Sequence, residues 1–256
     1  MRNHKRKPVL LFISLVVVVV TAMATLRGQT EIGKPHKDQR TRTSNDSQFP
    51  SVDYDSQESV ASEQEEVRRA RGNLYKGNGI KEDPRVKIIT DTDSLIERLP
   101  SLPIPQSDVI VLGEVTKAQA FLSTDKTGVY SEFNVHIDEV LKDKTGGNLS
   151  PSAEIVINRS GGRVRFPSGH IQVYTSSGQG MPIANGRYLL FLKHNNAQSF
   201  FLLTGYEFRS GLVLPVDNVS SQDIYKSFDE TVFLNEIRTS IAGYSNAPSE
   251  KGGQKQ

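Results

Sequence analysis

Hydrophobic and polar positions divide this chain into four stretches. Residues 9–20 are an apolar run interrupted only by Ser14, and between 25 and 73 large apolar side chains nearly vanish. Between 107 and 217 they return in short alternating runs, and from 224 to 241 they recur at three- and four-residue steps. A period of two predicts strands, and a period between three and four predicts an amphipathic helix. The alternation is clearest at 129–141. There Val129, Phe133, Val135 and Ile137 face one way, while Tyr130, Glu132, Asn134, His136 and Asp138 face the other; Ser131 is the mismatch. Residues 109–115 are almost continuously aliphatic, which predicts a strand buried on both faces, continued past an irregularity by 118–123. Further strands are predicted at 153–158, 163–166, 171–174, 187–193, 200–206 and 212–216. Turn signals separate them: Asp125-Lys-Thr-Gly128, Gly146-Gly147, Gly161-Gly162, Gly178 to Gly180, Asn185-Gly186 and Asn195-Asn196. Short strands with no helix between them indicate a mainly β domain, a closed barrel or a sandwich, over 107–217.

The flanks differ in kind. In 224–241, Tyr225, Phe228, Val232, Phe233, Ile237 and Ile241 form one stripe, so a C-terminal helix within 218–244 is expected to dock on the barrel. Residues 245–256 are expected to be a disordered tail. The polar 25–73 stretch cannot bury enough apolar surface to offset its chain entropy, so it reads as a disordered linker. Within it, Glu63, Glu65 and Glu66 precede Arg68, Arg69 and Arg71, which suits a short solvated helix. Residues 74–106 form an irregular lead-in punctuated by Pro84, Pro100, Pro103 and Pro105, with a short helix expected over 93–99.

The N-terminus supplies the expected location. Arg2, Lys5, Arg6 and Lys7 precede the apolar run, and Ala22 and Ala24 then place small side chains at the two positions a signal peptidase reads. Residues 1–24 therefore read as a signal peptide or a membrane anchor, with cleavage after Ala24 preferred. An uncleaved anchor over residues 8–26 is the rival, because about 18 apolar or weakly polar residues make a helix of roughly 27 Å. Either way the rest of the chain is expected to be extracytoplasmic, periplasmic or secreted. The membrane is met only through that segment.

Composition narrows the function classes. The chain has no cysteine, so disulfides, thiolate metal sites and a Cys nucleophile are excluded, and stability must come from packing. Removing residues 1–24 takes away four basic residues and no acid, which moves the formal charge from +2 to −2. Residues 108–217 hold ten basic and ten acidic residues. A nucleic-acid partner is not expected on that balance, since phosphate binding calls for a clustered positive surface.

Two groups of side chains carry candidate chemistry. Glu132, His136 and Asp138 share one face of a strand, and a histidine with carboxylates suits a metal such as zinc. A solvated strand face explains the same residues. The segment Arg159-Ser-Gly-Gly-Arg-Val-Arg165 sets glycine amides among guanidinium groups, as anion sites do, and Ser168 and His170 follow just beyond. Arg159, Arg163, Arg165, Ser168 and His170 are the candidate ligand contacts, against the reading of a plain hairpin turn. The segment lacks the strand–loop–helix setting and the Lys-Ser/Thr ending of a phosphate loop. No Gly-x-Ser-x-Gly elbow is present, no catalytic residue is singled out, and no cofactor is implied.

Three segments resemble the netrin/tissue-inhibitor-of-metalloproteinase type of OB-like barrel. Ser107-Asp-Val-Ile-Val-Leu-Gly-Glu-Val115 is similar to that family's first barrel strand. Phe133-Asn-Val-His-Ile-Asp-Glu-Val-Leu-Lys142 is similar to its strand ending in a Val-Leu-Lys-Gly-like turn. Gly186-Arg-Tyr-Leu-Leu-Phe-Leu192 resembles its later Gly-x-x-Tyr-Leu-x-Phe strand. The chain also resembles exported bacterial proteins that carry such a domain. The resemblance covers about residues 107–216 and implies a small closed or partly open antiparallel OB-like barrel with a binding role. That family inhibits proteases through an N-terminal cysteine, which this chain lacks, so the activity does not carry over. The function expected is a noncatalytic, exported binding module for a protein or small ligand. An extracytoplasmic hydrolase or metal-dependent enzyme with a polar barrel mouth, and a structural envelope component, are the alternatives.

Overall fold

The alternation at 129–141 becomes one strand of a ring. In the computed structural model the described residues are 48–246, apart from 57–61, 78, 93–94, 148 and 196–198. The chain divides into units 1–43 and 44–256, and every described residue belongs to the second. The expected export segment therefore lies outside the described residues, as do 25–47 of the linker and 247–256 of the tail. Among the described residues no helix is long and apolar enough to cross a membrane.

Ten strands are present. They are β1 (Ser51–Asp53), β2 (Ile88–Asp91), β3 (Val109–Leu122), β4 (Val129–Asp143) and β5 (Glu154–Ser160), followed by β6 (Gly162–Arg165), β7 (Ile171–Ser176), β8 (Gly186–Asn195), β9 (Ser199–Arg209) and β10 (Leu212–Pro215). Helix α1 spans Ser62–Gly72 and helix α2 spans Glu230–Asn246. The larger sheet runs β10-β9-β5-β4-β3-β8, and β8 pairs back onto β9, so β3, β4, β5, β9 and β8 close a ring. All its pairings are antiparallel except β5–β9, which is parallel through Ile157↔Phe200 and Asn158↔Phe201. A three-stranded meander closed through a parallel pair is the OB-like arrangement, and closure leaves the ring no bare edge.

Strand β3 is buried on both faces because it separates two cores. Val109, Val111 and Val115 point into the barrel with Phe133, Val135, Ile137, Ile157, Leu190 and Leu192. Ile110 and Leu112 point outward, yet they are covered by α2 through Phe233, Leu234 and Ile237, with Leu189, Phe191 and Tyr206 alongside. Register shifts at 110/111, 112/113 and 115/117 coil β3, so 109–115 serve the ring with β8 while 117–122 extend beyond it against β4 alone.

Four sequence expectations are corrected. Strands at 163–166 and 171–174 were expected in the barrel; β6 and β7 instead build a second sheet, ordered β1-β6-β7-β2. The chain leaves the ring at Gly161, whose φ of +98° and distance of 2.6 Å from a would-be Cβ to the Tyr174 carbonyl oxygen leave room only for glycine. The stretch 25–73 is not structureless where it is described. Ser51–Asp53 adds in parallel to β6, and Ser62–Gly72 is helical. Finally, α2 begins at Glu230 rather than 224. Ser227 adopts φ +67°, and the Asp229 carboxylate accepts the Thr231 and Val232 amides at 2.9 and 3.1 Å as an N-cap. Phe228 and Val232 therefore stand exposed, off the docked stripe. The lead-in contributes β2, parallel to β7, and a single 3₁₀ turn at Ile96–Arg98 in place of the short helix.

Candidate functional site

The outer face of β3, β4 and β5 beyond the ring is polar, and its residues stand in register. Lys117 pairs with Asn134, which pairs with Val156; Gln119 pairs with Glu132, which pairs with Asn158; Phe121 pairs with Tyr130, which pairs with Ser160. Helix α1 lies against this face. Between helix and strands runs a groove of about 510 Å³, open to solvent. Val67, Arg68 and Arg71 form its wall, and Lys117, Gln119, Phe121, Glu132, Asn134 and Val156 form the floor.

The helix is held by its C-terminal end. Tyr75, in the 3₁₀ turn that follows α1, stacks on Tyr130 with centroids 4.7 Å apart and planes 7° off parallel, and its hydroxyl donates to Asn158 Oδ1. The Tyr75 backbone passes so close to Gly128 that a Cβ there would sit 1.8 Å from the Tyr75 carbonyl oxygen. Thr124 Oγ1 donates to the Arg69 carbonyl at 3.3 Å, which reaches the last turn of the helix. Burial pushes the Tyr75 and Tyr130 phenols up, and the Glu132 charge adds to the effect.

Two arginines face the sheet. Arg71 Nη1 lies 2.7 Å from Glu132 Oε1, with side chains only 11% and 10% exposed. The contact is one of charge rather than aligned donation, because Glu132 Oε1 is buried and makes no hydrogen bond; Arg71 Nε is likewise buried without an acceptor. The Arg68 guanidinium sits 4.4 Å over the Phe121 ring, a cation–π contact. Lys117 is exposed at the far side of the floor. Among the described residues the lining carries Arg68, Arg71, Lys117 and Glu132, and Glu132 faces Arg71. It contains no His, Ser, Thr or Tyr side chain among the described residues, so these assemble no nucleophile–base pair there. What the arrangement offers is charge and hydrogen-bond recognition over a partly apolar floor.

The sequence-predicted residues are dispersed. Of the metal candidates, Glu132 is committed to Arg71, and Asp138 receives Arg187 Nε at 3.0 Å. His136 stands half-buried in the next row, flanked across the strands by Glu114 and Glu154. Among the described residues no three His, Asp or Glu side chains are placed to hold a metal ion.

The glycine–arginine turn directs its polar groups into the fold. Its amides are spent on the backbone, Gly161 to the Val129 carbonyl and Arg163 to the Pro50 carbonyl, at 2.9 and 2.8 Å. Arg159 is buried and bonded to Asp217, Gly180 and Leu203. Arg163 is half-buried in β6, and Arg165 lies 3.7 Å from Asp53. Ser168 donates to Glu82, and His170 Nε2 lies 3.1 Å from the Val86 carbonyl. These five side chains do not converge.

Arg68, Arg71, Lys117, Gln119 and Asn134 escaped sequence reasoning, apart from the alternation that set Asn134 on the polar face of its strand. The available signal was the outward spacing of Lys117, Gln119 and Phe121 between Ala118 and Ala120. No protein-family model matches the chain, and no curated protein is similar to it.

Proposed function

We propose that this chain is a noncatalytic binding module that works outside the cytoplasm and holds its partner in the groove between α1 and the outer face of β3–β5. The observation that carries the reading is the Arg71–Glu132 contact. A buried ion pair fixes a helix with almost no apolar side chains over a polar strand face, and the groove left between them is lined for recognition rather than for bond-making. The relation to netrin/tissue-inhibitor-of-metalloproteinase-like barrels belongs to the same proposal, since the OB-like ring and a binding role are what that resemblance implies. Export rests on the basic–apolar–small pattern of residues 1–24.

Two measurements test this. A photo-crosslinking side chain at Gln119 of the full chain, in its native cells, is expected to capture a discrete partner. Capture only from exposed positions elsewhere, such as Asn218, overturns the groove. Fractionation with N-terminal sequencing is expected to find the chain outside the cytoplasm, starting near Thr25 if the signal is cleaved. Recovery of the intact chain in the cytoplasm overturns the location.

A further inference from the structure

The second sheet ends in an uncovered edge. We propose that β2 pairs antiparallel with β2 of a second copy of this chain, about a two-fold axis at Ile89, in a contact that does not depend on the groove. Strand β2 closes the order β1-β6-β7-β2, and all four of its residues are exposed. The Lys87 and Asp91 carbonyls accept the Val173 and Ser177 amides at 2.8 and 2.9 Å, on the β7 side. Backbone groups alternate in direction along a strand, so the amides and carbonyls of Ile88 and Thr90 face outward. Among the described residues no hydrogen bond uses them. Other edges are occupied. Beside β10 the Val213 amide donates to the Phe228 carbonyl and the Ser227 amide to the Val213 carbonyl, at 2.9 and 2.8 Å. At β1 the Asp53 carbonyl accepts the Ser56 amide at 3.0 Å. Sheet edges are usually blunted by such cover, a proline, a bulge or a charge. Ile88-Ile-Thr90 has none of these, and its ladder to β7 runs without a register shift.

The strand is its own complement. Outward groups of one copy must meet outward groups of the other. With Ile89 opposite Ile89, Ile88 falls against Thr90 in both directions, so both outward residues of each strand are used. Setting Ile88 or Thr90 opposite itself pairs only one outward residue within β2. Side chains agree with the same register. Lys87, Ile89 and Asp91 stand on one face of the sheet, and Ile88 and Thr90 on the other. Lys87 then lies opposite the partner's Asp91 and Asp91 opposite the partner's Lys87, two pairs of opposite charge flanking an Ile–Ile contact at the axis. Asp91 also has a contact within its own chain, and a carboxylate has acceptor positions to spare for Lys87. Two-fold pairing uses the edge of both copies, so assembly stops at a dimer. One short strand pair buries far less than a standard interface, so the dimer is expected to be weak, with Kd on the order of 100 μM.

The test is disulfide trapping on the full chain, which has no native cysteine to compete. With diamide as oxidant, Ile89→Cys is expected to give the linked dimer at least about tenfold faster than Ile88→Cys. Only residue 89 faces its own counterpart, with Cα atoms about 4.5 Å apart, a separation that a disulfide spans. Thr90→Pro removes only an outward amide that the monomer does not use, so circular dichroism should be unchanged. Added to Ile89→Cys, it is expected to slow trapping about tenfold or more. Sedimentation velocity of the parent from about 10 μM to about 1 mM should show a monomer–dimer equilibrium. Ile89→Lys, at an exposed position, sets like charges face to face at the axis and is expected to abolish it. Equal trapping from Ile88→Cys and Ile89→Cys, trapping that ignores Thr90→Pro, or a parent that stays monomeric near 1 mM each overturns the proposal. Self-association that survives Ile89→Lys overturns it as well, because it then runs through another surface.

Discussion

Arg159 and Asp217 form a buried ion pair that ties the barrel to the loop after β10. The nitrogen–oxygen distance is 2.8 Å, and the side chains are 5% and 0% exposed. Their remaining valences are filled. Arg159 also donates to the Gly180 and Leu203 carbonyls, and Asp217 accepts the Gly180 amide and the Thr204 hydroxyl. Gln222 in turn donates to Thr204 at 2.6 Å. Removing one partner strands a charge in the interior, and such losses run at about 3–5 kcal/mol. Asp217→Asn and Arg159→Leu should each lower the unfolding free energy by that much, read as a fall in the denaturant midpoint at an unchanged slope. A loss below about 1 kcal/mol from both would show that solvent reaches the pair.

The latch on α1 should be local. An isolated helix of 11 residues is marginal in water, and α1 has little apolar surface to add. Glu132→Ala should therefore free the helix while the ring persists. Trypsin cleavage at Arg68, Arg69 and Arg71 is expected to quicken about tenfold or more, with the global unfolding midpoint moving much less. Cleavage rates that track global stability instead would make α1 part of the cooperative core.

Much of the fold was legible because burial writes itself into period. The strands between 109 and 216 and the stripe of Phe233, Ile237 and Ile241 answer to one cause, a side chain meeting either the core or water. Where a strand extends beyond the ring, as β3 does after Val115, the period persists but says nothing about what lies on the outer face. The candidate site escaped for that reason. Arg68 and Arg71 sit on a helix whose docking uses charge and a ring face rather than an apolar stripe, and charged helix faces usually read as solvated. Arg159 misled in the opposite direction. A guanidinium between glycines looks like a ligand contact, and only the distant Asp217 shows that it is an internal tie.

Helix α2 offers a direct check on which face is docked. Phe233 is fully buried, with its ring 4.9 Å from that of Tyr206 and 5.0 Å from that of Tyr225, whereas Val232 beside it is 58% exposed. Phe233→Ala removes a large side chain from a closed core and should cost about 3–5 kcal/mol. Val232→Ala should stay within about 0.5 kcal/mol of the parent. Chemical denaturation of the two variants reads both values. The reverse ranking would mean that the helix is rotated about its axis.

Acid should loosen the β3–β4 turn only well below neutrality. Asp125 Oδ1 accepts the Thr127 hydroxyl at 2.6 Å, the Ser123 hydroxyl at 2.8 Å and the Thr127 amide at 3.1 Å. These donors, led by the Thr127 hydroxyl, hold the carboxyl down at about 2, against an ordinary value of 3.8. A folded-state value below the unfolded one stabilises the fold at every pH above 3.8, and the gain is lost as pH falls from there through about 2. The stability difference between the parent and Asp125→Asn should therefore be constant near neutrality and shrink across that window. The side-chain carboxyl carbon of Asp125, followed by NMR, should titrate near 2. Titration at the ordinary carboxylate value, with no narrowing of the difference, would mean that the two hydroxyls point to water instead.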